Sequence, residues 1–170
     1  IGANSFRTSH YPYAEEALDL ADRLGIDVID ETAAVGLNLG VGGGFFLGGD
    51  RTTFSDDTIN DATQEVHRQA LRELIQRDKN HPCVIMWSLG NEAGTGRNLE
   101  QMAGWIRARD PGRLIHYEGE PDAFYTDVYS KMYAGYGELD AIGRRQEPVT
   151  ANPEHDEHRR RLPMMLCEYG

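Results

Sequence analysis

Two nearly continuous apolar runs each end abruptly at an acidic residue: Cys83–Leu89 and Leu162–Cys167. Continuous hydrophobicity over so short a stretch is typical of a strand in a parallel sheet, because both faces of such a sheet are covered. The first run stops at Gly90-Asn91-Glu92 and the second at Glu168. Parallel-sheet enzymes carry their chemistry in the loops after the carboxyl ends of the strands. The pattern therefore makes Glu92 and Glu168 the candidate catalytic pair.

The other hydrophobic positions predict four shorter strands and four helices. The strands are Gly2–Arg7, Ile26–Ile29, Leu114–Glu118 and Asp127–Met132. The helices are Ala14–Leu24, Ser55 to about Asn80, Asn98 to about Arg109, and Gly137–Arg144. Apolar residues at helical spacing mark the inner faces of the first three helices: Ala17, Leu18, Ala21 and Leu24; Ile59, Ala62, Val66, Ala70 and Leu74; Leu99, Met102, Ala103 and Ile106.

Two long segments carry no such pattern. The segment from Thr32 to about Phe54 has six glycines between Gly40 and Gly49, and it lacks the GK[ST] sequence of a phosphate-binding loop. Long irregular loops in compact domains are usually functional, so we expect a lid or rim loop here. The segment Gln146–Arg161 is polar without an apolar period, and no regular element is expected in it.

The alternation of strands and helices predicts an α/β fold with a parallel sheet. A doubly wound open sheet and a (β/α)8 TIM barrel both fit. Six strands with candidate residues at several strand ends favour the barrel, of which two strands would then be missing. The chain begins at Ile1 rather than Met and ends two residues after Glu168. We therefore expect residues 1–170 to be a fragment of one catalytic barrel domain, incomplete at both ends.

Composition limits the partners that the chain can have. Its 170 residues carry a net charge of −11 and give a pI near 4.9, which argues against nucleic acid and anionic membranes as partners. No apolar stretch approaches the roughly 20 residues that span a bilayer. Cys83 and Cys167 fall in predicted buried strands and lack metal-ligand spacing. They are expected to be core thiols in a reducing compartment, and the location is expected to be cytoplasmic.

Glu92 and Glu168 can face each other across the mouth of a barrel. Two opposed carboxyl groups are the equipment of glycoside hydrolysis, in which one group protonates the leaving oxygen and the other attacks the anomeric carbon. A separation of about 5–5.5 Å corresponds to retention of configuration through a covalent intermediate. The alternative is that both acids are merely solvated or salt-bridged strand ends.

Three sequence motifs resemble the catalytic barrel of glycoside hydrolase family 2, which includes β-galactosidases, β-glucuronidases and β-mannosidases. These are HPCVIMWSLGNEAG in the middle of the chain, RTSHYP near its start and LCEYG at its end. The resemblance covers essentially the whole chain. It implies that the six strands are the second to the seventh of the barrel. It also implies a retaining exo-β-glycosidase that acts on a terminal sugar by double displacement with two glutamates.

The resemblance also implies a role for individual residues. Glu92 matches the general acid/base, Asn91 the residue that binds the sugar 2-hydroxyl, and Glu168 the nucleophile. By the same resemblance, the substrate-binding and supporting residues are Tyr133 and Arg7, which assist the nucleophile, and His10, which contacts sugar hydroxyls. Glu118, in the HYEG motif at the end of a strand, is expected to line the pocket.

The two halves of the chain resemble different members of the family. Up to about Asp78 the motifs look like those of a β-glucuronidase, and from about Cys83 onward like those of a β-galactosidase. The substrate is therefore expected to be a terminal β-D-galactoside or, alternatively, a β-D-glucuronide. An inactive truncated barrel or a carbohydrate-binding remnant is a further alternative.

The resemblance bears on cofactors and on assembly as well. After Asp30-Glu31 the sequence lacks the Glu-x-His pair of a galactosidase-type Mg²⁺ site, so no metal and no cofactor are expected. The expected partners are a carbohydrate substrate and, in the parent protein, further copies of the same subunit.

Overall fold

The fold was analysed in a computed structural model that describes residues 2–34, 61–93, 97–119, 122–149 and 152–169. The strands are β1 (Ser5–Arg7), β2 (Asp27–Glu31), β3 (Val84–Asn91), β4 (Leu114–Glu118), β5 (Tyr129–Met132) and β6 (Met164–Glu168). The helices are α1 (Glu15–Leu24), α2 (Asp61–Asp78), α3 (Arg97–Arg109), α4 (Tyr136–Gly143) and α5 (Pro153–Arg159). The segments 35–54 and 55–60, assigned above to a rim loop and to a helix start, lie outside the described residues.

All strand pairings are parallel, and the strand order follows the chain order. β1, β2, β3 and β4 form one sheet, and β5 pairs with β6. β4 and β5 are joined by Asp127, whose backbone N–H donates to the Ile115 carbonyl and whose carboxylate accepts the Ile115 N–H. A doubly wound sheet reverses its strand order at a switch point, and these strands show no reversal. The described strands therefore form a partial (β/α)8 barrel, as predicted.

The curvature of the barrel brings its first and last described strands together. Arg7 at the end of β1 reaches Glu168 at the end of β6, with 2.5 Å between the guanidinium Nη2 and the carboxylate Oε1. Successive side chains of a strand point to opposite faces. Accordingly, Asp30 on β2 lies beside α2, where its neighbour is Asp78, whereas Glu31 points inward at Arg7. The inner face at the carboxyl ends is thus polar, and the outer face packs against the helices.

Packing of the helices confirms part of the predicted inner faces. All four predicted residues of α3 are buried, as are Leu18 and Ala21 of α1. Leu24 is 62% exposed and Val66 is 65% exposed, so these two predictions were wrong. In α2 the buried stripe is Leu71, Leu74, Ile75 and Asp78. Its helical spacing includes a polar residue, which a search for apolar periodicity does not detect.

Helix α5 was not predicted. It lies within the polar segment Gln146–Arg161 and begins where the Asn152 side chain accepts a hydrogen bond from the Glu154 N–H, with Pro153 in the first turn. Both are standard start signals of a helix. Its inner face is charged, because Arg159 is buried and pairs with Asp156. The inner face of α5 therefore carries an ion pair in place of the apolar stripe by which a helix is predicted from sequence.

The described helices include none that is both long and apolar enough to cross a lipid bilayer.

Candidate active site

Arg7 is the buried cation at the centre of the strand ends. Its guanidinium contacts Glu168 at 2.5 Å, Glu31 at 3.5 Å and the Asn91 side-chain oxygen at 3.4 Å. The Arg7 side chain is 5% exposed and that of Glu31 is fully buried. A buried cation requires paired anions. Glu31 thus compensates the charge of Arg7 from β2, while the same guanidinium reaches across the barrel to β6.

Glu168 has a cation and a hydrogen-bond donor as its neighbours. Arg7 provides the positive charge, and a hydrogen bond with Glu168 raises the pKa of the Tyr133 hydroxyl. The backbone of Tyr133 also donates to the Glu168 carbonyl at 2.9 Å. Tyr133 has a left-handed backbone with φ of 47°, a conformation that is uncommon for residues other than glycine.

Glu92 lies in the opposite kind of environment. Burial raises its pKa above the ordinary value, and the negative charges of Glu168 and Glu118 raise it further. The Asn91 side chain donates to Glu92 at 3.3 Å, and the Glu92 backbone N–H donates to the Glu118 carbonyl at 2.8 Å. A carboxyl group with a raised pKa stays protonated closer to neutral pH, as a general acid requires. Glu92 also has a left-handed backbone, with φ of 47°.

Gly90 sets the path of the chain into this site. Its φ is +139°, and a Cβ built on it would lie 2.4 Å from the carbonyl oxygen of Ala34. The next residue, Asn91, donates its backbone N–H to that same oxygen at 3.0 Å. Only a residue without a side chain allows this approach. The glycine therefore fixes where Asn91 and Glu92 leave the end of β3.

We expect Gly90→Ala to lower the free energy of unfolding by about 3 kcal/mol, because it adds both backbone strain and a clash with Ala34. Urea denaturation followed by circular dichroism measures this change. Gly104→Ala is the matched control. Gly104 lies inside α3, and beyond its own helix backbone no heavy atom comes within 4 Å of the place that an added methyl group would take. Its replacement should therefore stabilise the helix by about 0.5–1 kcal/mol. Equal effects of the two substitutions would contradict this role of Gly90.

His10 lies at the rim of the site. Its Nδ1 is 3.4 Å from Glu31, and its side chain is 38% exposed. A sugar hydroxyl can therefore reach the imidazole. Asp30 and Glu31 end the same strand but have different partners, since the Thr8 hydroxyl donates to Asp30 on the outer side. Burial and the neighbouring Asp78 raise the pKa of Asp30 to about 7. Glu31 is thus the one that holds Arg7 in place.

A chain of polar side chains under the site was not predicted. The Ser88 hydroxyl donates to Glu31 at 2.7 Å and lies 2.8 Å from His116 Nδ1, and His116 Nε2 lies 2.9 Å from the Ser130 hydroxyl. Because the Ser88 proton goes to Glu31, His116 Nδ1 must be the donor to Ser88 and Nε2 the acceptor from Ser130. Burial and the positive charge of Arg7 lower the pKa of His116 to about 3, so the ring is neutral.

Glu118 lies beside Cys167 in the lumen. It is 9% exposed, and the Cys167 thiol donates to its carboxylate at 3.1 Å. Cys83, the other thiol, is buried and lies directly before β3. Burial raises the pKa of each thiol to about 12, so both are protonated at neutral pH. The prediction that the cysteines are internal is confirmed for Cys83, whereas Cys167 is only partly buried.

Among the residues that the structure describes, two groups of side chains have ligand atoms within 4.8 Å of one another, close enough to hold a metal ion: Asp22, His81 and Cys83; His116, Glu118 and Cys167. Hydrogen bonds already account for both arrangements. The carboxylate of Asp22 pairs with His81 Nδ1 at 2.7 Å and accepts the Cys83 backbone N–H. Both ring nitrogens of His116 are likewise bonded to serines. The absence of a cofactor stays a prediction.

The structure thus gathers all seven predicted site residues at the carboxyl ends of the strands, namely Arg7, His10, Asn91, Glu92, Glu118, Tyr133 and Glu168. The sequence did contain a signal for the hydrogen-bonded side chains beneath the site. Ser88, His116 and Ser130 are polar residues inside otherwise buried strands. A buried polar residue in such a strand needs a hydrogen-bond partner. The sequence therefore allowed the prediction that these three side chains bond to one another across the lumen.

Several known proteins are similar to this chain. A β-glucuronidase of Paenibacillus borealis is 39% identical over the whole chain, which spans 30% of that protein. A β-galactosidase of Arthrobacter sp. (strain B7) is 42% identical over 99% of the chain and 16% of that protein. The solved structure of a β-D-glucuronidase for Dictyoglomus thermophilum superposes with a TM-score of 0.71 at 38% identity, over 99% of this chain and 30% of that one.

Relatives with both names match essentially the whole chain, so the two halves are not assigned to different enzymes by these comparisons. The family described as "Glycosyl hydrolases family 2, TIM barrel domain" matches residues 1–170. The chain therefore belongs to the TIM barrel domain of the family 2 glycosyl hydrolases.

Proposed function

We propose that this chain carries the catalytic centre of a retaining exo-β-glycosidase. The observation that carries the proposal is the opposite environment of the two carboxyl groups. Burial and negative neighbours raise the pKa of Glu92, whereas Arg7 and Tyr133 surround Glu168 with a cation and a hydrogen-bond donor. A carboxyl group with a raised pKa, opposite a carboxylate that contacts a cation, is the pattern of an acid and a nucleophile.

In the first step, the ionised Glu168 attacks the anomeric carbon while Glu92 gives its proton to the leaving glycosidic oxygen. The bond to the aglycone breaks, and a glycosyl ester forms on Glu168. In the second step, Glu92 takes a proton from water, which attacks the same carbon and releases Glu168 as a carboxylate. The two inversions give net retention. All atoms and charges in these two steps are accounted for by the two glutamates, the substrate and water.

The remaining residues have binding roles in this proposal. Asn91 lies between Arg7 and Glu92, where its amide can bind the sugar 2-hydroxyl. His10 at the rim can contact a further hydroxyl. The substrate is a terminal β-D-galactoside, since the segments that bear both glutamates have the galactosidase-like motifs. A β-D-glucuronide is the alternative substrate. Several of the relatives are named β-glucuronidase. In this proposal the enzyme acts in the cytoplasm. Its parent protein assembles from several identical subunits.

Sugar binding without turnover is a second candidate. In the described part of the chain, exposed tyrosines lie at or just after the strand ends: Tyr11, Tyr133, Tyr136 and Tyr169, with exposed fractions of 60%, 68%, 94% and 79%. Exposed aromatic rings with a polar tip are typical of binding surfaces. A chain that spans 30% of the Paenibacillus protein could retain this surface and lack turnover.

Hydrolysis of p-nitrophenyl β-D-galactoside and β-D-glucuronide by the 170-residue chain distinguishes the two candidates. The same assay should be run on a chimera in which the chain replaces the matching segment of the Paenibacillus relative, and on a second one built on the Arthrobacter relative. We expect at least one of these forms to release p-nitrophenol faster than its own Glu168→Gln variant. Folded forms that all lack turnover but bind the sugars would support binding alone.

A further inference from the structure

Glu118 is a third carboxyl group in the site, and its backbone is tied to that of Glu92. β4 pairs with β3 so that Glu118 is in register with Asn91, and the Glu118 carbonyl accepts the Glu92 N–H at 2.8 Å. The Glu118 side chain is buried on the lumen side of the barrel. The position of this carboxyl group relative to Glu92 is therefore set by sheet hydrogen bonds and not by a mobile loop.

The Cys167 thiol fixes the other end of Glu118. Its Sγ donates to Glu118 Oε2 at 3.1 Å. Burial, together with the negative charge of Glu118, raises the pKa of Cys167 to about 12, so the thiol keeps its proton and remains a donor. Cys167 directly precedes Glu168 in β6. One strand therefore carries the proposed nucleophile and, next to it, the group that holds Glu118.

We propose that Glu118 is a positioning residue whose fixed negative charge keeps Glu92 protonated, with the Cys167 thiol holding the carboxylate in place. The inference rests on the function proposed above and assigns a residue that the two-glutamate mechanism does not use. In the described part of the chain, the other groups that act on Glu92 are Glu168 from β6, His10 from the segment after β1, and the Asn91 amide. Of these, His10 and Asn91 oppose the effect of the negative charges.

Glu118 and Glu168 act on Glu92 at different stages of the reaction. The charge of Glu168 disappears when the glycosyl ester forms, and this lowers the proton affinity of Glu92 just when it must act as a base. The charge of Glu118 does not change during the cycle. Glu168 is thus the variable part of the field at Glu92, and Glu118 is the constant part that favours the acid form.

Titration of the Glu92 carboxyl carbon by ¹³C NMR tests the inference on the 170-residue chain. The Glu92 signal is assigned by its loss in Glu92→Gln. In Glu118→Gln we expect its midpoint to fall by about 0.5 to 1 pH unit, the size of one neighbouring charge in a partly solvated site. Glu118→Asp keeps the negative charge and should restore the parental midpoint of Glu92. Glu100→Gln, an exposed position on α3, is the matched control and should leave it unchanged.

An unchanged midpoint in Glu118→Gln overturns the inference. If that variant fails to fold, Cys167→Ala gives the same readout, because loss of the thiol donor should release Glu118 and lower the midpoint by a smaller amount. Where a form is active, the basic limb of its kcat/KM profile should move with the Glu92 signal. Absence of turnover with a normal Glu118 effect would reject the proposed function and leave the coupling intact, so the two failures are distinguishable.

Discussion

Glu168→Gln should reduce kcat on p-nitrophenyl β-glycosides by about 10⁴-fold or more in whichever form of the chain is active. The amide is nearly isosteric with the carboxylate, but it is neutral and cannot form the glycosyl ester. It also leaves the guanidinium of Arg7 with Glu31 as its remaining carboxylate partner. Losses of this size are typical when a covalent nucleophile is removed and the rest of the site remains. Initial rates over several enzyme concentrations measure it.

The covalent intermediate provides a second readout for Glu168. A 2-deoxy-2-fluoro glycoside with a good leaving group slows both steps, and the second step more, so the ester accumulates. Mass spectrometry should then find the added sugar on the peptide that contains Glu168, and none after Glu168→Gln. The control is Glu65→Gln on the surface of α2, where Glu65 pairs with Arg68 and Arg72, and it should label like the parent. Near-parental turnover of Glu168→Gln would show that another residue is the nucleophile.

The strand ends were the most predictable part of the molecule. Cys83–Leu89 is hydrophobic on both faces because most of β3 is buried, with Ile85 at 41% exposure as the exception, and the apolar run stops near the carboxyl end of the strand. The structure extends β3 to Asn91, two residues further than predicted, since Asn91 still pairs with Glu118 of β4. Hydrophobicity could not predict this boundary, because the last two positions of the strand are not hydrophobic.

The contacts across the barrel were the least predictable part. Arg7 and Glu168 are 161 positions apart, and their contact depends on barrel curvature that no local pattern encodes. The resemblance to a family suggested the pair, whereas periodicity alone gave only two acidic strand ends. The same limit applies to the bond from Cys167 to Glu118, because a half-buried thiol in a strand looks like any core cysteine.

Charged residues on inner faces account for the missed helix α5 and for the missed member of the α2 stripe. α5 buries Arg159 against Glu147 and Asp156, and α2 turns Asp78 toward the sheet, where Arg77 pairs with it. The inner face of α5 is charged, and that of α2 adds the polar Asp78 to an apolar stripe. Periodicity arguments count apolar residues, so they place such a face on the solvent side or find no helix there. The missed features are thus buried charged residues that belong to ion pairs, Arg159 in α5 and Asp78 in α2.

Glu92→Ala should lower the rate of hydrolysis by a factor that depends on the leaving group of the substrate. For an alkyl β-glycoside, whose leaving oxygen needs a proton, we expect kcat/KM to fall by about 10³-fold, within the usual range for general acid catalysis. For a dinitrophenyl glycoside, whose leaving group needs no proton, the first step should be nearly unaffected and the second step slow. Steady-state and pre-steady-state rates with the two substrates separate these effects. An equal loss with both substrates would contradict the role of Glu92 as proton donor.

Azide distinguishes the roles of the two glutamates by the configuration of the product. In Glu92→Ala the small anion can enter the space of the missing carboxylate and attack the glycosyl ester on Glu168, so turnover should recover and give a β-glycosyl azide. In Glu168→Ala azide attacks the substrate itself, and the product should be the α-glycosyl azide. Proton NMR coupling constants of the two products identify the anomers. A β-azide from both variants would reject the assignment, because one inversion and two inversions cannot give the same anomer.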